Sequence, residues 1–189
     1  CSAEGVAVRM LDDTHFLCSR TEFAEWGKGK KELRLEFFYR VMRKRFNVLM
    51  VGDEPVGGQW NFDEDNRSAY PKRTGPGLIP EPAFFEPDAV TEQVIHLVEK
   101  IFPDHPGQLN NFAWPVTREQ ALHALKVFVD TRLTSFGQYQ DAMWTNTPLG
   151  WHSLLSAALN LHLLNPREVI AAVEQAYQQG KVSLGSAEG

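Results

Sequence analysis

Cysteine is nearly absent: Cys1 and Cys18 are the only two in 189 residues. A structural zinc site takes four ligands and a four-iron cluster takes four thiolates, so neither can be built here from cysteine. One disulfide could join the pair, but two free thiols of a cytoplasmic protein is the simpler expectation. Apolar runs are short, far below the ~20 residues that span a bilayer. The chain starts at Cys1 without a charged segment leading into an apolar one, so no signal peptide or membrane span is expected in these residues. Excess positive charge is lacking too. The net charge of −5 gives no general reason to bind nucleic acid, and any such binding needs a local patch. The six histidines are scattered without ligand spacing, which argues against a metal site. Gly57-Gly58 is not followed by the helix and Lys-Ser/Thr of a phosphate loop.

The chain does hold the makings of helices. With 43% hydrophobic and 23% charged residues it has an ordinary globular composition. A short strand is expected over Val6–Leu11, without partners nearby, as if a sheet belonged beside it. Ser19 to Glu22 forms a capping box for a short helix reaching Trp26. A second helix is expected from about Lys31 to Phe46, with Leu35, Phe38, Met42 and Phe46 on one stripe. Between 48 and 87 periodicity fails and glycines alternate with prolines, which reads as an interdomain connection. Trp60 and Phe62 suggest that this connection docks onto a surface.

Four more helices are expected. Asp88 caps one carrying Val90, Val94, Leu97, Val98 and Ile101. Thr117 to Gln120 is a capping box for another carrying Leu122, Leu125, Phe128, Val129 and Leu133. Ser153 to Leu164 is apolar almost all round, as in a helix buried on most sides. Asn165-Pro166 opens the last, which Gly180 ends.

The run from His152 to Glu168 (HSLLSAALNLHLLNPRE) resembles the flavin-phosphate segment of photolyases and cryptochromes, Thr-Ser-x-Leu-Ser followed by Ser-Pro-Arg. His152 stands in place of the threonine and Asn165 in place of the serine. Phe136–Asp141 (FGQYQD) is similar to the family's preceding tyrosine segment. Pro55–Asp63 continuing to Arg67, with Phe16–Ser19 and Leu35–Arg40, resembles the prokaryotic photolyase-related branch, the iron–sulfur bacterial cryptochromes and photolyases. The resemblance spans essentially the whole chain in one order.

That resemblance implies a mostly α chain cut from a larger protein. Residues 1–47 would be the C-terminal part of an α/β, Rossmann-like antenna domain and its following helices. Residues 48–87 would be the interdomain linker, and 88–189 the first helices of the all-α FAD-binding domain. It implies FAD as cofactor, and in the full-length protein a ribityl-lumazine antenna and a 4Fe-4S cluster. The partner would be UV-damaged DNA, with (6-4) photoproducts as substrate. The cofactor-binding residues carried over are Tyr139, His152, Ser153, Leu154, Leu155 and Ser156; no catalytic residue and no metal ligand is assigned.

The residues themselves permit that carry-over. Ser153 and Ser156 share one face of a helix start, and the amides of Leu154 and Leu155 fall among its unpaired donors. Serines in an apolar helix also cap or back-bond locally. His152 can donate to a phosphate or ribityl oxygen, or simply face solvent. Tyr139 can offer its phenol to the flavin's phosphate or sugar region, or serve the core. The basic stretch 28–46 can touch DNA phosphates or pair with acidic neighbours. The five tryptophans read as core or docking residues. A cryptochrome-like photoreceptor without repair and a cofactor-free helical interaction module remain alternatives. The chain alone is expected to be catalytically silent and to hold FAD weakly, since half the pocket lies elsewhere.

Overall fold

A computed structural model describes residues 7–189. Cys1 and Val6 lie outside the described residues; Ala7–Leu11 form no strand. Cys18 carries a free thiol, half-buried, with its pKa raised mainly by burial.

The first helices follow their caps. Helix α1 (Arg20–Gly27) opens on Ser19, whose side chain accepts from the Glu22 amide while Glu22 returns the bond. Helix α2 (Leu35–Phe46) starts four residues later than the stripe suggested, because Arg34 sits in extended backbone with no capping side chain. Trp26, Phe23 and Phe38 pack edge-on between the two helices. Half of the eight basic residues at 28–46 are paired: Lys28 with Glu25, Arg34 with Glu32, Arg40 with Glu36, and Arg45 with Glu22. Arg43 is buried and donates to the carbonyls of Val48, Leu49 and Trp60.

Residues 48–87 are irregular apart from a two-residue hairpin, β1 (Met50–Val51) with β2 (Glu54–Pro55), and a short turn at Val56–Gly58. The segment nonetheless lies down on the helices. Trp60 is half-buried beside Arg40, Arg43 and Lys44. Asn66 is buried and donates to Gly185 O at 2.8 Å, and Ser68 N–H donates to Gln138 O at 3.1 Å.

Helix α3 (Ala89–Ile101) is capped by Asp88, yet it buries none of its stripe: Val90, Val94, Leu97 and Ile101 are each more than half exposed. The core forms further on. Helix α4 (Arg118–Val127) begins at the Thr117 capping box, widens into a π-helical turn at Phe128–Arg132, and continues as α5 (Leu133–Tyr139). Leu125, Phe128 and Leu133 from this run pack with Leu155, Ala158, Leu164, Ala176 and Val182 in one cluster. Full burial of each leucine stabilises the fold by roughly 1.5–3 kcal/mol.

The expected helix from Ser153 to Leu164 is a correction. Only α6 (Ser156–Asn160) is helical there. Leu154 has φ +60°, a left-handed conformation that no α-helix contains, and His162 has φ +56°. Leu161 is 67% exposed, so the segment is not buried on most sides. Helix α7 (Pro166–Gln178) starts as expected, with Asn165 as cap, Pro166 in the first turn and Glu168 completing the box. Gly180, at φ +70°, follows its end. A short α8 (Leu184–Glu188), absent from the sequence expectations, packs on α5. Gly137 makes this contact close: a Cβ there would lie 2.6 Å from Ser186 Cα.

Candidate functional site

Four of the six expected cofactor contacts come together. His152, Ser153, Leu154 and Ser156 line an open cleft of about 490 Å³ with Phe136, Gln140 and Pro148. Leu155 departs from the set, since its side chain is 2% exposed and belongs to the core. It borders instead a separate apolar pocket with Phe128, Leu133 and Leu159. Tyr139, the last residue of α5, does not line this cleft. Its ring stacks instead on Tyr70 of the irregular segment, centroids 4.9 Å apart.

The donors of the cleft belong to a loop, apart from Ser156, which opens α6 and whose amide is unpaired as in any first helical turn. Helix α6, at five residues, is too short to act as a dipole end, and Ser153 precedes it. The left-handed Leu154 is followed by Leu155 at φ −93°, ψ −6°. Alternation of left- and right-handed residues turns successive amides toward one side, a concave nest suited to an anion. Consistently, among the described residues no backbone carbonyl accepts from the amides of Ser153, Leu154, Leu155 or Ser156. The bonded pattern resumes on either side, with His152 N–H to Leu149 O at 3.2 Å and Leu159 N–H to Leu155 O at 3.0 Å.

Two residues that hold this loop were missed from the sequence. Arg132 is 1% exposed and donates to the carbonyls of Pro80, Leu149, Gly150 and His152. Burial lowers its pKa from the ordinary guanidinium value, and Glu81 partly opposes that shift. Tyr70 is 5% exposed, and its hydroxyl, close to the Trp151 backbone, finds no hydrogen-bond partner; burial raises its pKa. The Trp151 indole N–H is likewise buried and unpartnered. A usable signal existed for the first of these: Arg132 interrupts the apolar series Leu125, Phe128, Val129, Leu133 and Phe136. Tyr70 lies in a segment without periodicity and gave none.

The geometry suits a phosphate-bearing ligand: a run of free amides, two hydroxyls, an imidazole and an aromatic wall at Phe136. No group of three or more His, Cys, Asp or Glu able to hold a metal occurs among the described residues. No described helix is long and apolar enough to cross a membrane.

Comparison with known proteins bears on what such a site serves. The family model for deoxyribodipyrimidine photo-lyase-related protein matches residues 1–114. The chain belongs to that family. Among its relatives is a (6-4) photolyase of Agrobacterium fabrum (strain C58), 45% identical over 188 residues. That match covers 99% of this chain and 36% of the Agrobacterium protein. A 62-residue stretch is 29% identical to an uncharacterized protein of Acanthamoeba polyphaga mimivirus, covering 31% of this chain and 32% of that one. The photolyase-related chain thus spans about a third of the length of these curated relatives. The cleft lies beyond the residues matched by the family model but within the span of the Agrobacterium match.

Proposed function

We propose that this chain is an internal segment of a flavin-dependent photolyase of the iron–sulfur branch, and that its cleft holds the diphosphate of FAD. In this reading the amides of Leu154, Leu155 and Ser156 and the hydroxyls of Ser153 and Ser156 bind phosphate oxygens. His152 donates from the cleft wall, and Tyr139 supports the loop from behind through Tyr70. Residues 1–47 end an antenna domain that binds a ribityl-lumazine, 48–87 connect the domains, and 88–189 begin the flavin domain. The four cysteines of a 4Fe-4S cluster belong to residues outside this chain.

The observation that carries the reading is that the unpartnered amides at 153–156 belong to the segment whose Ser153, Leu154 and Ser156 line the cleft, where the sequence resembles a flavin-phosphate segment. Amides without a carbonyl partner are free to donate to a ligand, and an anion satisfies several at once. When bound, reduced FAD supplies, on excitation by light, the electron that opens a UV-induced pyrimidine dimer, here a (6-4) photoproduct in DNA. The chain's own residues bind and orient; the chemistry belongs to the cofactor. The protein is read as cytoplasmic.

The test uses the complete protein. Ser153→Ala combined with Ser156→Ala lowers FAD retention on gel filtration while leaving the circular dichroism spectrum unchanged. Wild-type protein that purifies without flavin, takes none up and repairs no (6-4) lesion under blue light would defeat the proposal.

A further inference from the structure

Just before the unpaired amides, three carbonyls are taken by one side chain. Arg132 Nη2 donates to Gly150 O at 2.5 Å, His152 O at 3.0 Å and Leu149 O at 3.3 Å, and Nε donates to His152 O at 3.2 Å. Nη1 reaches Pro80 O at 2.6 Å, on the irregular segment. Among the described residues no carboxylate forms an ion pair with it. A guanidinium enclosed this way gives up its hydration and gains only neutral acceptors. An apolar residue of the same volume would fill the space more cheaply, so the core's packing alone does not account for an arginine here. What it does produce is a fixed fork of five N–H donors matched to four carbonyls, which no other side chain can reproduce.

We infer that Arg132 is a positioning residue for the flavin phosphates: by gathering the carbonyls of Leu149, Gly150 and His152 on one side of the loop, it sets the course of the chain into the unpaired amides of 154–156. This inference rests on the reading of that loop as the phosphate site. The positive charge, sharing a small hollow with Ser153 and Leu154 and partly offset by Glu81, also favours an anion on the loop's far side. Gly150 belongs to the same frame. It has φ +44°, and a Cβ there would lie 3.2 Å from the His152 ring and 3.4 Å from the Tyr70 hydroxyl. A side chain at 150 therefore shifts the frame without altering Arg132.

The test measures equilibrium binding of FAD and of riboflavin, which lacks phosphate, to the complete protein by flavin fluorescence. Arg132→Met lowers the preference for FAD over riboflavin by about tenfold, the scale of one or two lost net hydrogen bonds. Riboflavin affinity changes little. Gly150→Ala produces the same selective loss, and Arg132→Lys, with three donors, recovers part of the preference. A parallel weakening of both ligands in all three variants would make Arg132 merely structural and overturn the inference, as would an unchanged preference. Should Arg132→Met not fold, the other two variants decide by the same criterion. A wild-type protein with no preference for FAD over riboflavin would instead sink the phosphate-site reading itself.

Discussion

Tyr70 lies against Tyr139 with ring centroids 4.9 Å apart and planes 27° from parallel, and this pair adds to the Ser68–Gln138 backbone bond in fastening the irregular segment to the end of α5. The Tyr70 hydroxyl is enclosed without a partner. Removing that hydroxyl should cost nothing in the ligand-free protein. Tyr70→Phe is expected to raise stability by about 1 kcal/mol, since an unsatisfied buried group is deleted. Tyr70→Ala should lower it by about 3–5 kcal/mol through the cavity left behind. Urea denaturation of the two variants checks both signs; a destabilised Tyr70→Phe would mean that the hydroxyl has a bound partner in solution.

Leu154 carries a conformation that suits glycine. The left-handed φ of +60° costs an L-residue roughly 1–2 kcal/mol, and glycine avoids that at some expense in chain entropy. Leu154→Gly is therefore expected to stay within ~1 kcal/mol of wild type and to keep FAD binding, because the loop's amides are unchanged. Leu154→Pro locks φ near −65° and removes one of those amides. It should abolish FAD binding. Calorimetric titration of the pair with FAD distinguishes them.

Helices α5 and α8 meet where Gly137 has no side chain. A Cβ there would come within 2.8 Å of Asn66 Oδ1 and Gly185 O as well as 2.6 Å of Ser186 Cα. Backbone atoms yield poorly, so Gly137→Ala is expected to cost about 2–3 kcal/mol. Thermal unfolding should show the loss, and hydrogen exchange should place it at residues 184–188.

Acid should weaken the junction of α4 and α7. Arg118 donates to Glu168 Oε2 at 2.7 Å, and together with the Asn165 amide holds the Glu168 carboxyl down to about 2, below its ordinary 4.5. A carboxyl depressed in the folded state adds stability that is present above the unfolded value and is lost as pH falls toward the folded one. The window is therefore pH 4.5 to 2. Glu22, held to about 2 chiefly by Arg45, loses its contribution over the same range. Glu168→Gln should lower Tm by about 2 °C at pH 7, the scale of a partly exposed pair in a chain of this size. The difference should vanish near pH 2; a constant difference across the scan would contradict the assignment.

Local signals in the sequence were read well where a few adjacent residues determine the outcome. The caps at Ser19, Asp88, Thr117 and Asn165 each open a helix, because a side chain three residues away completes the bond. Failures came where distant contacts decide. The apolar run after Ser153 reads as a helix by composition, but Arg132 and Tyr70 hold 149–152 in another course, and Leu154 turns left-handed. Of the candidate site, His152, Ser153, Leu154 and Ser156 are neighbours in the chain, and the structure sets them along one cleft. The contacts of the buried Arg132 were not legible in the sequence, since no pattern within a window of residues says which carbonyls a guanidinium will meet.

The π-helical turn at Phe128–Arg132 has a genetic consequence. A turn of this kind takes in one residue more than regular winding, so the residues after it keep the faces they would have in an uninterrupted helix one residue shorter. Loss of a single codon between 129 and 131 would therefore restore regular winding and leave Gly137 in its notch against the last helix. Loss of a codon between 133 and 135, where no wide turn absorbs it, would instead rotate Phe136 and Gly137 by about 100° relative to α4.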